Sequence, residues 1–219
     1  MKGMSNKRLI ENRIKARRTG IPFGIEELYD SPKMGNLTSV ILNGLKAEGK
    51  VVKLARGVYY KPKQSKYGLG NLPVDEKDMI DFVIRKYNGY PSGVYAYNLA
   101  GFTLQTARII EIATPKPQKR IKIGNYEFVF KKAPYGYAEA KDNADLLIIL
   151  DALTNPNEVP DQQLEDIQYF IRKKIGEMDN VKADKLVELS LNYPTRTRKR
   201  LMPELNSQQQ NKISSTLRN

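Results

Sequence analysis

Leu37-Thr38-Ser39-Val40-Ile41-Leu42-Asn43-Gly44-Leu45-Lys46-Ala47-Glu48-Gly49-Lys50-Val51-Val52-Lys53-Leu54-Ala55-Arg56-Gly57-Val58-Tyr59-Tyr60 is the stretch that decides how the amino-terminal third folds. Leu37, Ile41 and Leu45 recur every fourth residue, with Thr38 and Leu42 beside them, which is one face of a helix. That helix spans about Asn36 to Glu48, and Gly49 ends it. Val51–Leu54 and Val58–Lys61 are short β-type runs joined by Ala55-Arg56-Gly57, a hairpin in which Gly57 suits a positive φ. Tyr59 and Tyr60 fall on alternate strand faces, so one belongs to the core and the other is available to a ligand.

Two further elements precede this stretch. Ser5 caps a helix that runs to about Arg18, with Leu9, Ile10 and Ile14 inward and Lys7, Arg8, Lys15, Arg17 and Arg18 outward. Thr19-Gly20-Ile21-Pro22 stops it, and a short helix follows near Ile25–Tyr29 before the break at Asp30-Ser31-Pro32. Helix, short helix, helix, hairpin is the order of a winged helix-turn-helix. In that design the third helix enters the major groove of DNA, and the wing lies on the backbone or in the minor groove.

Charge is placed to match. Residues 1–70 hold 15 Lys/Arg and 5 Asp/Glu, a net of +10 out of +13 for the whole chain. Residues 71–189 are close to neutral at −2, and residues 190–219 return to +5. Cations concentrated in one segment make a field aimed at a polyanion, which scattered charge would not.

Downstream of the hairpin, Gln64 to Pro73 reads as a linker. Helices are expected over Val74–Tyr87 and Ser92–Ala100, then strands over Arg108–Ala113, Lys119–Ile123 and Tyr126–Lys131, the last two joined at Gly124-Asn125. Three helices follow, over Glu139–Leu153, Asp161–Ile175 and Val181–Leu191. The fold class is therefore α+β. A winged-helix domain occupies 1–66, and a carboxy-terminal α/β domain with a small antiparallel sheet and several helices occupies 74–203. A polar tail that frays occupies 204–219.

Composition excludes several chemistries. Of 219 residues none is Cys and none is His, which removes disulfides, thiol catalysis, Ser-His-Asp triads and His-ligated zinc. Asp142, Asp145 and Asp151 lack a companion ligand motif and read as a solvated helix face, so no metal and no cofactor are expected. Gly68-Leu69-Gly70 is too short for a phosphate loop. The longest plain apolar run, Leu146–Leu150, falls well short of the roughly 20 residues a spanning helix needs. The expectation is a cytoplasmic protein with no membrane partner and no enzymatic activity.

The residues expected to touch double-stranded DNA follow from the helix and the wing. Lys33, Asn36, Ser39, Asn43 and Lys46 lie off the apolar face of the third helix. Asn pairs with adenine and Ser with several base edges, although Asn36 also suits an N-cap. Lys50, Lys53 and Lys61 flank the wing, with Arg56 at its tip; Tyr60, Arg17 and Arg18 complete the set, for phosphate contact. Arg196, Arg198, Lys199 and Arg200 form a second basic cluster, open to three readings: a DNA contact through Arg198, a protein contact, or a solvated helix end.

The stretch quoted above resembles the amino-terminal wing domain of AbiEi-type antitoxins, which belong to abortive-infection (phage-defence) type IV toxin–antitoxin systems. A second block is also similar to that family: Tyr90-Pro91-Ser92-Gly93-Val94-Tyr95-Ala96-Tyr97-Asn98-Leu99-Ala100-Gly101-Phe102-Thr103, with the strands between Ile109 and Phe130 after it. The likeness covers roughly residues 5–135. It implies an antitoxin that represses transcription from its own operator and counters a nucleotidyltransferase-like toxin encoded nearby, without a stable complex in the best-known branch. Relatives often carry Arg or Lys mid-helix where this chain has Asn43-Gly44. The alternative is a winged-helix transcriptional regulator with no toxin partner.

Overall fold

The structure is a computed structural model and describes residues 5–68 and 70–217. The chain is α+β and divides into two units: the residues up to Lys86 together with Ile121–Tyr126, and Tyr87–Arg120 together with the residues from Glu127 onward. These units differ from the expected boundaries, because the helix after Pro73 packs on the amino-terminal strands and Ile121–Tyr126 returns to them.

The first unit begins with α1 (Asn6–Ala16), whose first turn is closed by the Ser5 hydroxyl accepting from the Arg8 N–H at 3.4 Å. Its last carbonyls find a donor far along the chain: the Lys61 ammonium donates to the carbonyls of Lys15 and Arg17, each at 2.8 Å. Strand β1 (Pro22–Gly24), 3-10 turns at Ile25–Leu28 and Pro32–Met34, α2 (Gly35–Ala47), β2 (Val52–Ala55) and β3 (Val58–Tyr60) follow in winged-helix order. The sheet order is β1-β3-β2, both pairs antiparallel, so β3 is central. Gly57 closes the β2–β3 turn at φ +73°, a conformation that costs an L side chain about 1–2 kcal/mol. Ile10, Ile14, Phe23, Leu28, Leu42, Val51 and Tyr59 form the core that joins helices to sheet.

The expected linker is a two-stranded ladder instead. Strand β4 (Lys63–Gln64) pairs antiparallel with β5 (Asn71–Leu72), and α3 (Glu76–Lys86) follows. Gly68 and Gly70, both at positive φ, make the reversal possible.

The second unit starts with β6 (Tyr90–Ser92), α4 (Gly93–Leu99) and β7 (Ile110–Thr114); β8 (Ile121–Ile123) lies in the returned segment, and β9 (Tyr126–Lys132) re-enters. Strand β6 is antiparallel to β7, but β7 and β9 are parallel, with Ile110 opposite Phe128 and Thr114 opposite Lys132. The sheet expected to be antiparallel is thus mixed, because the excursion through β8 brings the chain back in its original direction.

Behind this sheet lies α5 (Tyr137–Thr154), buried on nearly every side from Leu146 to Leu150 and again at Ala152 and Leu153. It is surrounded by α6 (Leu164–Gly176), α7 (Asn180–Ser190) and α8 (Thr195–Leu201). The expected polar tail is helical from Ser207 to Leu217: this α9 packs through fully buried Ile213 and through Gln209, whose amide donates to Asp184 at 3.3 Å. Asn206 and Gln209 cap each other's backbone N–H at 3.3 and 3.0 Å. Just before α9, Glu204 is buried and held by the Arg172 guanidinium at 2.7 and 3.3 Å.

Candidate nucleic-acid interface

Helix α2 has two chemically different sides. Thr38 and Leu42 are fully buried, with Ile41 and Leu45 packed against the core beside them. Leu37, expected inside, is at the margin of the buried face and partly exposed, because the inward direction is centred on Thr38 and Leu42. The opposite side carries Asn36, Val40, Asn43 and Ala47, all exposed and spaced by four, three and four residues, which is one continuous outward stripe. Asn36 is the second residue of the helix, not its cap; Met34 holds the cap position and makes no side-chain cap bond. The amides of Asn36 and Asn43 make no hydrogen bond among the described residues, so their donors and acceptors are left for a ligand. Ser39 donates its hydroxyl hydrogen to the Gly35 carbonyl at 2.9 Å, which leaves it as an acceptor only.

The same unit also exposes several cations. Lys33, Lys46, Lys53, Arg56 and Arg18 are exposed and have no ion pair among the described residues. Four carboxylates of this unit are engaged with other cations instead. Glu27 holds Arg17 at 2.8 Å, Asp30 holds Arg13 at 2.7 Å, Glu48 holds Lys50 at 2.6 Å, and Glu26 holds Lys86. What remains is an exposed, uncharged helix stripe, with Lys33, Lys46 and the wing residues Lys53 and Arg56 exposed and in no ion pair among the described residues.

Three expected contacts do not stand as read. Tyr60 is only 4 % exposed, and its hydroxyl donates to the Leu72 carbonyl at 3.2 Å; burial raises its pKa. Both Tyr59 and Tyr60 are inside because β3 is the middle strand and its two faces are both covered. Arg17 is committed to Glu27, through both the side chain and the carbonyl at 2.8 Å, and its guanidinium lies 5.7 Å over the Phe23 ring. Arg198 belongs to the second unit, is half-buried, and donates to the Thr195 hydroxyl at 3.1 Å. Its neighbours are structural: Arg200 donates to the carbonyls of Leu153 and Thr154 at 2.7 and 3.2 Å, and Arg196 to the Asn155 side chain at 3.0 Å. As the helical spacing expects, residues 196 and 200 share a face, and that face closes the end of α5.

Two residues of this surface escape a reading of the sequence. Val40 is 68 % exposed in the middle of the outward stripe, although apolar residues usually mark the inward one. Lys122 is exposed on the returned segment, whose Gly124 N–H donates to the Leu54 carbonyl on β2 at 3.2 Å. Val40 could have been found by helical phase alone. Lys122 lies some sixty residues along the chain from the wing and carries no local signal.

The second unit contains one unusual polar cluster. Asp151, expected on a solvated face, turns inward and accepts from Tyr193, Ser92 and Tyr90 at 2.9, 3.0 and 3.2 Å. Burial pushes its pKa up to about 6, against the opposing pull of these three hydroxyls. It lines a cavity of about 220 Å³ together with Lys131, Glu158 and Arg196. Lys131 is held there by Glu158 at 2.6 Å and by Glu111. The cluster ties β6, α5 and the start of α8 together. Among the described residues no group of three or more acidic side chains is placed to hold a metal ion, and no helix is long and apolar enough to cross a membrane.

No curated protein matches the chain. Among solved structures, the crystal structure of the RV2827C protein from Mycobacterium tuberculosis is similar, with a TM-score of 0.49 and 12% identity over 96% of this chain and 80% of that one. The model of a family of unknown function, DUF6088, matches residues 9–178. With most of its length so matched, this chain belongs to the DUF6088 family.

Proposed function

We propose that this protein is a sequence-specific DNA-binding repressor of its own operator, docking α2 in the major groove with the β2–β3 wing alongside. The observation that carries this reading is the exposed α2 face and wing tip, with Lys33, Lys46, Lys53 and Arg56 exposed and in no ion pair among the described residues, while Glu26, Glu27, Asp30 and Glu48 are spent on other cations. Phosphate contacts from such cations supply affinity and register, and the side chains of α2 supply the sequence preference. The likeness of the Leu37–Tyr60 and Tyr90–Thr103 blocks to AbiEi-type antitoxins extends the proposal. The protein is a cytoplasmic antitoxin, not an enzyme, and it counters a nucleotidyltransferase-like toxin encoded beside it.

Gel-shift titration with the DNA upstream of its own gene tests the first part. Specific, salt-sensitive binding is expected, and the double variant Asn43→Ala, Arg56→Ala should weaken it by at least about tenfold. Unchanged binding by that variant would rule out the helix-and-wing mode. Growth rescue by the full chain, co-expressed with the neighbouring toxin gene, tests the second part. Repression without rescue would leave a transcriptional regulator that has no toxin to oppose.

A further inference from the structure

The outward stripe of α2 is uncharged from end to end: Asn36, Val40, Asn43 and Ala47. Guanine is read mainly by Arg or Lys, and cytosine by Glu or Asp, because those side chains match the acceptors and the donor that the bases present. The stripe has neither kind. Its two asparagines have amides with no partner among the described residues, the pattern that pairs bidentately with adenine. One helical turn from each stands Val40, a β-branched apolar side chain 68 % exposed to water. A lone exposed valine is ordinary on any surface. Here it occupies the centre of the face turned to the duplex, where the apolar feature a base edge offers is the thymine methyl.

Resting on the DNA-binding reading above, we propose that α2 selects an A·T-rich core, with Val40 packing on thymine methyl groups between adenine contacts from Asn36 and Asn43. Lys33 and Lys46 lie to the sides of the stripe and hold phosphates. Discrimination therefore comes from amide hydrogen bonds and methyl burial at the centre, and affinity from charge at the edges.

The test begins with selection by the wild-type protein from a pool of random-sequence duplexes, followed by resynthesis of the winning duplex with deoxyuridine in place of thymidine. An A·T-rich core is expected, and removal of the methyls should weaken wild-type binding about fourfold for each methyl contacted. Val40→Ala should lose a similar factor on the thymidine duplex and little more on the deoxyuridine one. A G·C-rich core, or equal wild-type affinity for the two duplexes, overturns the proposal while leaving DNA binding intact; both readouts need only the wild-type chain. Failure to bind any duplex at low salt removes the DNA-binding reading and this proposal with it.

Discussion

Two clusters of basic residues in this chain look alike as sequence and differ in what they do. Around α2 and the wing, Lys33, Lys46, Lys53 and Arg56 are exposed and make no ion pair among the described residues. Along α8, Arg196 and Arg200 reach back to the end of α5 and satisfy acceptors there. The difference is set by unmet backbone demand. A helix leaves its last carbonyls without intrahelical donors, and any guanidinium within reach is drawn to them. Helix α5 ends beside α8 and takes Arg200. Helix α1 ends beside Lys61 and takes that ammonium, and Arg17 serves the Glu27 carbonyl, whereas Lys33, Lys46, Lys53 and Arg56 carry no such duty among the described residues. Positive charge that serves folding is turned inward, and positive charge available to a polyanion is what remains.

If inward polar groups carry stability and outward ones carry binding, the largest effect lies at Asp151. Its folded pKa of about 6 stands above the ordinary 3.8. Its contribution is therefore fully present below about pH 4 and is lost as pH rises through about 6. The span corresponds to at most about 3 kcal/mol, since solvent reaches part of the side chain. Urea unfolding across that range should show this loss in the wild type and a flatter profile in Asp151→Asn. Arg200→Ala comes next: two carbonyls lose their donor, stability falls by about 1–3 kcal/mol, and duplex affinity is unchanged. A loss of DNA binding in that variant would break the comparison. Arg56→Ala should behave in the opposite way, with stability within about 0.5 kcal/mol of wild type and a log–log salt dependence of binding shallower by about one. The smallest effect is at Gly44, where an added Cβ meets nothing within 4 Å and the backbone is helical. Gly44→Ala should raise stability by up to about 1 kcal/mol in a thermal melt.

Much of the first unit was legible because its signals are local. The apolar spacing around Leu42, the turn residue Gly57 and the cap Ser5 each act within a few positions, and all three elements form where expected. What escaped depends on partners distant in sequence. Tyr60 is inside because β1 and the Leu72 carbonyl cover what alternation alone leaves open. Arg17 is occupied because Glu27 folds back against it. The parallel pairing of β7 with β9 follows from an excursion whose closing turn, Gly124-Asn125, is readable but whose return alongside β7 is not. The carboxy-terminal helix was hidden differently. Its capping pair, Asn206 and Gln209, is readable at fixed spacing, but a composition rich in Ser and Gln outweighed it. At the candidate interface, the polar residues of α2 could be picked out by type. The exposed valine among them could not, since type alone assigns it to the core.

The hairpin residue Gly124, hydrogen-bonded to Leu54, carries a practical consequence for dissecting the protein. Strand β2 is an outer strand of its sheet, and this contact engages one of its carbonyls. Any truncation after residue 66, or even after Lys86, strips that cover and leaves bare amides and carbonyls ready to pair with a neighbour's strand. A shortened DNA-binding half that clumps in solution would thus report a lost seal, and splicing residues 121–126 back in would be the remedy.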